Sequence, residues 1–438
     1  MDFFFVIAFL TIYYIRPHEW IEWVGILRPI TLTILLSVFS LFFRERGLTF
    51  AHVLKTPHDR FMSLYLLWIC FASSSFFDTL ERVYHLFVFY FLVTLILYDR
   101  DRLKGFVKWW VLMIYAIAFL AWASEIGFDP TGSYNRTHGS RLQGRLILNT
   151  SLFNNPNALG HSIVPLIGII YLYYFWKRNI TYIFRGFLTS LIPLYVMYLT
   201  QSKGTYLSGF VMLTSTLTFK RGFLMKIVVI ATMATAGLAL LMFLPRMEDL
   251  RRGKQDREEG IEGRIAAWNF GQKCLEEGTI LGYSKFATSF QQAHGFLKPS
   301  HCSYVQIGAE LSYPGLFFYV GLIYLSFRSL HEIKTKTIEE ERIRRILFVL
   351  LVSYCASGWT VDFAYRATFF ILVGTIAALH RLHLPDRPNA EWVNPDLPEA
   401  PQSPESRLFT KLRIIDLPIM ICLTYLTVRT WYALKTWI

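Results

Sequence analysis

The sequence predicts an all-α polytopic membrane protein of about twelve transmembrane helices, and three observations support this. Of its 438 residues, 54% are hydrophobic and 17% aromatic, more apolar matter than a soluble domain carries. Apolar runs long enough to cross a bilayer recur along the chain. The Lys and Arg residues behind the formal charge of +13 sit in short clusters between those runs. That is the pattern of a topology signal rather than a nucleic-acid-binding stripe, so no nucleic-acid partner is expected.

Taken in order, the runs place spans near 2–15, 24–43, 61–77, 82–98, 106–124, 158–176, 186–200, 205–219, 223–244, 303–329, 346–361 and 367–382. A thirteenth run near 414–433 follows the Pro-rich stretch HLPDRPNAEWVNPDLPEAPQSPESR, which reads as an exposed linker. The opening MDFFFVIAFL has neither a basic n-region nor a small-residue cleavage site, so the first run is expected to stay as a helix.

Sidedness follows from the connections. RERGLTFAHVLKTPHDR, DRDRLKGFVK, KRNITYIFR, KRG and HEIKTKTIEEERIRR are all basic, and simple alternation puts them on one side, the cytoplasm. The opposite side receives IRPHEWIEW, FDTLER, the QSKG turn and two long loops. The expected organisation is therefore residues 1–244 carrying helices one to nine, with an outer loop at 125–157. Residues 245–302 form a large outer loop, 303–382 carry helices ten to twelve, and 383–438 hold the linker and a C-terminal hydrophobic segment.

Five cysteines are scattered without a CxxC pair. Cys70, Cys355 and Cys422 fall in apolar runs, where a buried small hydrophobe is the default. Cys274 and Cys302 share the long outer loop, where pairing in an oxidising compartment and two free thiols are both open.

Four outward segments concentrate polar chemistry. In GSRLQGRLILNTSLFNNPNALGHS, Arg141, Arg145, Asn154, Asn155 and Asn157 surround Pro156. Its GSRLQGRL core is not a phosphate loop, because it lacks the Lys-Ser/Thr ending and no strand precedes it. FNNPN reads equally as a helix-entry turn capped by Asn157 and as part of a site. In LTQSKGTYLSGF, Lys203 is either a snorkelling lysine beside a Gly204/Ser208 packing pair or an outward cation with a function. In GIEGRIAAWNFGQ, Arg264, Ala267, Trp268 and Gly271 share one helical face, which suggests a helix lying on the membrane surface, while RRGKQDREEG before it reads as a solvated face. In KPSHCSYVQIGAELSYPG, His301 stands where the outer loop turns into an apolar helix, with Ser300 or Ser303 available as cap.

The order of these segments matters more than any one of them. FNNPNALG, a Ser-Lys-Gly turn between helices, GRIAAW followed by LGYS, then SHCSYVQIGAELSYPG resembles the O-antigen ligase and O-antigen polymerase family of membrane glycosyltransferases, from about Arg145 to Gly315. The resemblance implies a GT-C-like fold with a large helical periplasmic loop. It also implies multi-pass residence in a bacterial inner membrane, with the active site facing the periplasm. The donor would be a polyprenyl-diphosphate-linked glycan, and the acceptor a glycan, lipid A core or a protein. Matched residue by residue, the family's loop histidine falls on His301, with its following helix ending at Glu310 to Gly315. The late-loop Gly-Arg falls on Arg264. The family's other arginine falls on Lys203, which keeps the charge and loses the planar fork.

The chemistry agrees. Glycan transfer from a diphosphate needs the leaving group stabilised and the acceptor hydroxyl deprotonated. Cations perform the first task without a metal, and Arg264 and Lys203 are placed for it, with Arg145 as a third. His301, with an ordinary pKa of about 6.5, suits the second. Glu310 and Asn157 are supporting candidates. No metal ligand set and no cofactor is expected: the one Asp-x-Asp triplet, Asp99 to Asp101, lies in a basic connection on the cytoplasmic side. The expected reaction is inverting, by a ligase or, with the same chemistry, a polymerase. A transporter or flippase for lipid-linked sugars is the alternative of another class.

Overall fold

A computed structural model describes residues 2–43, 53–73, 75–139, 142, 144–242, 261–282, 285–384, 408–409 and 411–437. Arg141, the RRGKQDREEG segment, Ser284 and most of the Pro-rich linker lie outside the described residues. Every described element is helical.

The helices are α1 Asp2–Ile15, α2 Glu22–Ile26, α3 Pro29–Phe42, α4 Pro57–Phe71, α5 Phe76–Ile96, α6 Arg100–Glu125, α7 Ser133–Thr137, α8 Pro156–Ile163 and α9 Pro165–Ile170. They continue as α10 Ile180–Thr200, α11 Lys203–Thr218, α12 Phe223–Met242, α13 Ile261–Glu277, α14 Phe286–His294, α15 Ser303–Glu332, α16 Ile338–Ser357, α17 Ala367–Arg381 and α18 Asp416–Trp437.

Among the described residues, five helical stretches are long and apolar enough to cross a membrane: Phe76–Ile96, Arg100–Glu125, Pro156–Phe175, Ile180–Thr200 and Asp416–Lys435. Shorter apolar helices cover four further runs: Asp2–Ile15, Pro29–Leu41, Phe223–Met233 and Ala367–Arg381. Their outward faces fit a lipid surround: α10 leaves Phe184, Phe187, Leu188, Leu191 and Leu194 exposed, a stripe that water would penalise heavily.

Helix starts carry local stop-and-start chemistry. Thr56 and Asp59 form a reciprocal capping box at α4, and Asp99 and Thr337 cap α6 and α16 with their side chains. Two runs are less regular than expected. The 24–43 run starts its long helix only at Pro29, after Arg28 in a left-handed conformation. The 158–176 run divides at Pro165 and closes in a π-helical turn, Tyr171–Phe175.

α15 is the central post. It packs against α4, α13, α14, α16, α17 and α18, and its helix is interrupted at Ser312, which has φ 57° and ψ −165° just before Pro314. The interruption frees the Leu311 carbonyl, which accepts a hydrogen bond from Trp68 Nε1 at 2.9 Å.

The connections sort into two ends. At one, Arg100 pairs with Glu340 at 2.5 Å, Arg178 reaches Glu339 at 3.5 Å, and Arg102 pairs with Asp2 at 2.9 Å. At the other, Ser151 N donates to Glu19 at 2.7 Å, Arg366 donates to the Leu152 carbonyl at 2.9 Å, and Leu146 N donates to the Leu199 carbonyl at 3.0 Å. These are the two loop groups that helix alternation separates.

α13 departs from expectation. Ala267, Trp268 and Gly271 do share a face, but that face is buried against α15 and α18 rather than laid on a membrane surface. A Cβ at Gly271 would stand 2.6 Å from Val305. Protein, not lipid, covers the apolar stripe.

Candidate functional site

The site is built around the junction that opens α15. His301 has φ 52°, a left-handed conformation that costs a β-carbon-bearing residue free energy unless its surroundings enforce it. The enforcement comes from Asp362, on the loop between α16 and α17. Its carboxylate accepts from His301 N at 3.0 Å, from Cys302 N at 2.7 Å and from the Ser300 hydroxyl at 2.6 Å. Three donors converge on one anion, each contact charge-assisted.

The helix start is therefore capped from a distance rather than by Ser300 or Ser303 alone. Cys302 occupies the cap position without a side-chain cap, and the Ser303 hydroxyl instead accepts from Phe363 N at 2.8 Å and donates to the Val361 carbonyl at 2.9 Å. Both segments are sewn together over several residues, so the His301 backbone has little freedom.

α13 joins the same junction. Trp268 Nε1 donates to the Ser300 carbonyl at 3.1 Å, immediately before His301 in the chain. Arg264, one turn earlier on that helix, acts electrostatically on both Cys302 and His161. Arg264 and His301 are both half-buried.

Lys203 opens α11 directly after Ser202, whose hydroxyl accepts from Thr205 N at 3.3 Å. Gly204 then comes so close to the next layer that a Cβ there would stand 3.0 Å from His161 Nε2 and 3.0 Å from Thr360. Thr360 lies two residues before Asp362 in the chain. Arg145 approaches the same turn, donating from Nε to the Thr200 carbonyl at 3.3 Å and from Nη2 to Asn157 Oδ1 at 3.1 Å.

Asn157 corrects the expectation that it caps the entry turn. The cap is Asn155, whose Oδ1 accepts from Asn157 N at 2.8 Å, with Pro156 in the first helical position. The Asn157 side chain serves as an acceptor for Arg145 instead.

Glu310 is buried about two turns into α15. Its carboxylate accepts from Phe286 N at 2.9 Å and from Gln306 at 3.4 Å, and it is hydrogen-bonded to Tyr365. It fastens the start of α14 to the post.

Cys274 and Cys302 are both free, buried thiols. Burial pushes the Cys274 thiol up to about 11 and the Cys302 thiol up to about 12, so neither is a reactive thiolate near neutral pH.

Two roles are not foreseen in the sequence. Asp362 lies 61 residues from the backbone it holds. His161 is buried, with Nδ1 2.8 Å from Ser357 Oγ and Nε2 2.8 Å from Thr360 Oγ1. The GHS after FNNPNAL carried a signal in principle: a histidine one turn into an apolar helix needs partners for both ring nitrogens.

A cavity lies beside this assembly, lined by Tyr13, Trp110, His161, Ser357, Phe363 and Arg366 among others. Arg145, Lys203, Arg264 and His301 do not line it. His161 lines the cavity and also stands against Gly204, the residue after Lys203. Among the described residues, no group of three His, Cys, Asp or Glu side chains is arranged to hold a metal ion.

Fold and site together define a helical protein with several helices suited to a membrane and a basic, histidine-bearing junction at one end. No family model matches the chain, and no curated protein matches it.

Proposed function

We propose that this protein is a membrane glycosyltransferase of the O-antigen ligase type. It would move a glycan from a polyprenyl-diphosphate donor to an acceptor hydroxyl at the periplasmic face of a bacterial inner membrane. In this reading the chain crosses the membrane about twelve times in a GT-C-like arrangement, with α18 as a further span.

The observation that carries the reading is the clamp at His301. A left-handed histidine at a helix start, held by a carboxylate from another loop, stands beside the helix that carries Arg264.

His301 accepts the proton of the acceptor hydroxyl as its oxygen bonds to the anomeric carbon. The bond from that carbon to the diphosphate oxygen breaks, and the leaving diphosphate keeps the electron pair. Arg264, Lys203 and Arg145 offset the charge that develops on it. Attack opposite the leaving group inverts the anomeric configuration.

The test is to incubate purified protein with a polyprenyl-diphosphate oligosaccharide and candidate acceptors, with chelator present. Product on a lipid A core or protein acceptor identifies a ligase, and lengthened lipid-linked glycan identifies a polymerase. No transferred glycan with any acceptor overturns the proposal.

A lipid-linked sugar transporter is the second reading, favoured by the broken Pro156–Phe175 helix beside a cavity lined by the half-buried Arg366. Movement of a labelled lipid-linked sugar across proteoliposomes without glycan transfer would select it.

A further inference from the structure

Trp431 lies in α18 and is fully buried. Its indole is seated on two glycines from two different helices. A Cβ at Gly271 of α13 would stand 3.0 Å from the ring, and one at Gly308 of α15 would stand 3.2 Å from it. Gly271 lies two turns along α13 from Arg264, and Gly308 lies two turns along α15 from His301. The indole N–H meets no acceptor among the described residues, so shape rather than hydrogen bonding fixes the ring.

The opposite end of α18 is tied to the far end of α15. Arg328 pairs with the buried Asp416, Tyr324 donates to Asp416 at 2.9 Å, and the Arg328 guanidinium lies 3.7 Å from the centre of the Phe409 ring. Arg413 adds a contact to Glu332 at 3.5 Å. α18 is thus anchored at one end and wedged at the other, and the wedge touches both helices that carry the candidate site.

We propose that Trp431 is a positioning residue: it locks the Arg264 helix against the His301 helix, so that the last helix sets the spacing of the leaving-group cation and the base. The purpose assigned to the lock rests on the glycosyl-transfer reading; the lock itself does not. Both glycines serve it, because a Cβ at either would press on the indole, and at Gly271 on Val305 as well.

The experiment uses the full-length protein in membranes and two readouts. The first is labelling of each cysteine by a membrane-impermeant maleimide, resolved by peptide mass spectrometry. Cys274 sits on α13 and is 4% exposed, while Cys70, 1% exposed on α4, reports on the rest of the bundle. The second is glycan transfer, with kcat and KM separated. Trp431→Ala should raise Cys274 labelling at least tenfold, leave Cys70 protected and lower transfer at least tenfold.

A second pair guards against simple misfolding. At Gly308 the atom nearest an added Cβ is Trp431 Cζ3, which a phenylalanine lacks. Gly308→Ala should expose Cys274 and reduce transfer, and adding Trp431→Phe should restore both. Unchanged Cys274 labelling in Trp431→Ala overturns the lock. Raised labelling with normal transfer overturns its positioning role. If the wild-type protein transfers nothing, the glycosyltransferase reading fails, and the labelling and its rescue alone decide the lock.

Discussion

At the scale of single residues, the clamp predicts that Asp362 matters to His301 without approaching a substrate. Asp362→Ala removes the acceptor for three donors and frees a left-handed histidine to relax. Transfer should fall at least tenfold, while His301→Ala should fall further, by about 10²–10⁴-fold as for loss of a general base. The double variant should be no worse than His301→Ala alone, because the carboxylate acts through the histidine. Additive losses, measured as kcat/KM, would assign Asp362 an independent role. Lys203 tests the cationic idea differently. Lys203→Arg should keep or raise transfer, since a guanidinium presents a fork to phosphate oxygens, and Lys203→Ala should lower it. Equal activity in all three would leave Lys203 as a packing residue beside Gly204.

At the scale of elements, Gly160 on α8 decides how closely the 200–205 turn can approach. A Cβ there would collide with Thr205 Oγ1 and stand 3.1 Å from Thr200 Oγ1. Gly160→Ala should destabilise the protein by about 1–3 kcal/mol through overpacking, seen as a lower thermal midpoint in detergent. Thr205→Ala in the same chain should recover most of that loss. The helices were legible in the sequence because apolar runs announce themselves through length: all thirteen runs contain a described helix, and five described stretches are long and apolar enough to cross a membrane. Their interruptions were less so. Pro314 marks the break at Ser312 locally, but the partners that Trp68 and Gly282 place against the freed backbone come from distant segments. The α13 stripe was visible, but the same stripe suits lipid or protein, and only the presence of α15 and α18 decides between them. The site was legible by residue type and not by partner. His301 and Arg264 stand out as polar groups at apolar boundaries, whereas Asp362 grips backbone N–H groups, and such contacts leave no trace in the sequence of the segment they hold.

At the scale of the whole molecule, the two ends differ in charge, and the functional reading depends on which faces outward. The end holding Arg100, Arg102 and Arg178 with their acidic partners is the one the positive-inside rule assigns to the cytoplasm. Basic loops that sequence parity grouped together meet there in space, so the grouping rests on contacts as well as on composition. The membrane orientation then follows as one prediction with two halves. Asn135, between α6 and α8, and Asn179, before α10, are both exposed and lie at opposite ends. In intact cells stripped of any outer barrier, a membrane-impermeant thiol reagent should label Asn135→Cys above the background of the native cysteines. It should leave Asn179→Cys unlabelled until the membrane is opened. The reverse pattern would turn His301, Arg264 and Lys203 toward the cytoplasm, away from the face where a periplasmic ligase meets its lipid-linked donor. The periplasmic placement would then fail even if every residue-level effect were observed, because a ligase that meets its lipid-linked donor outside needs its cations on that side of the bilayer.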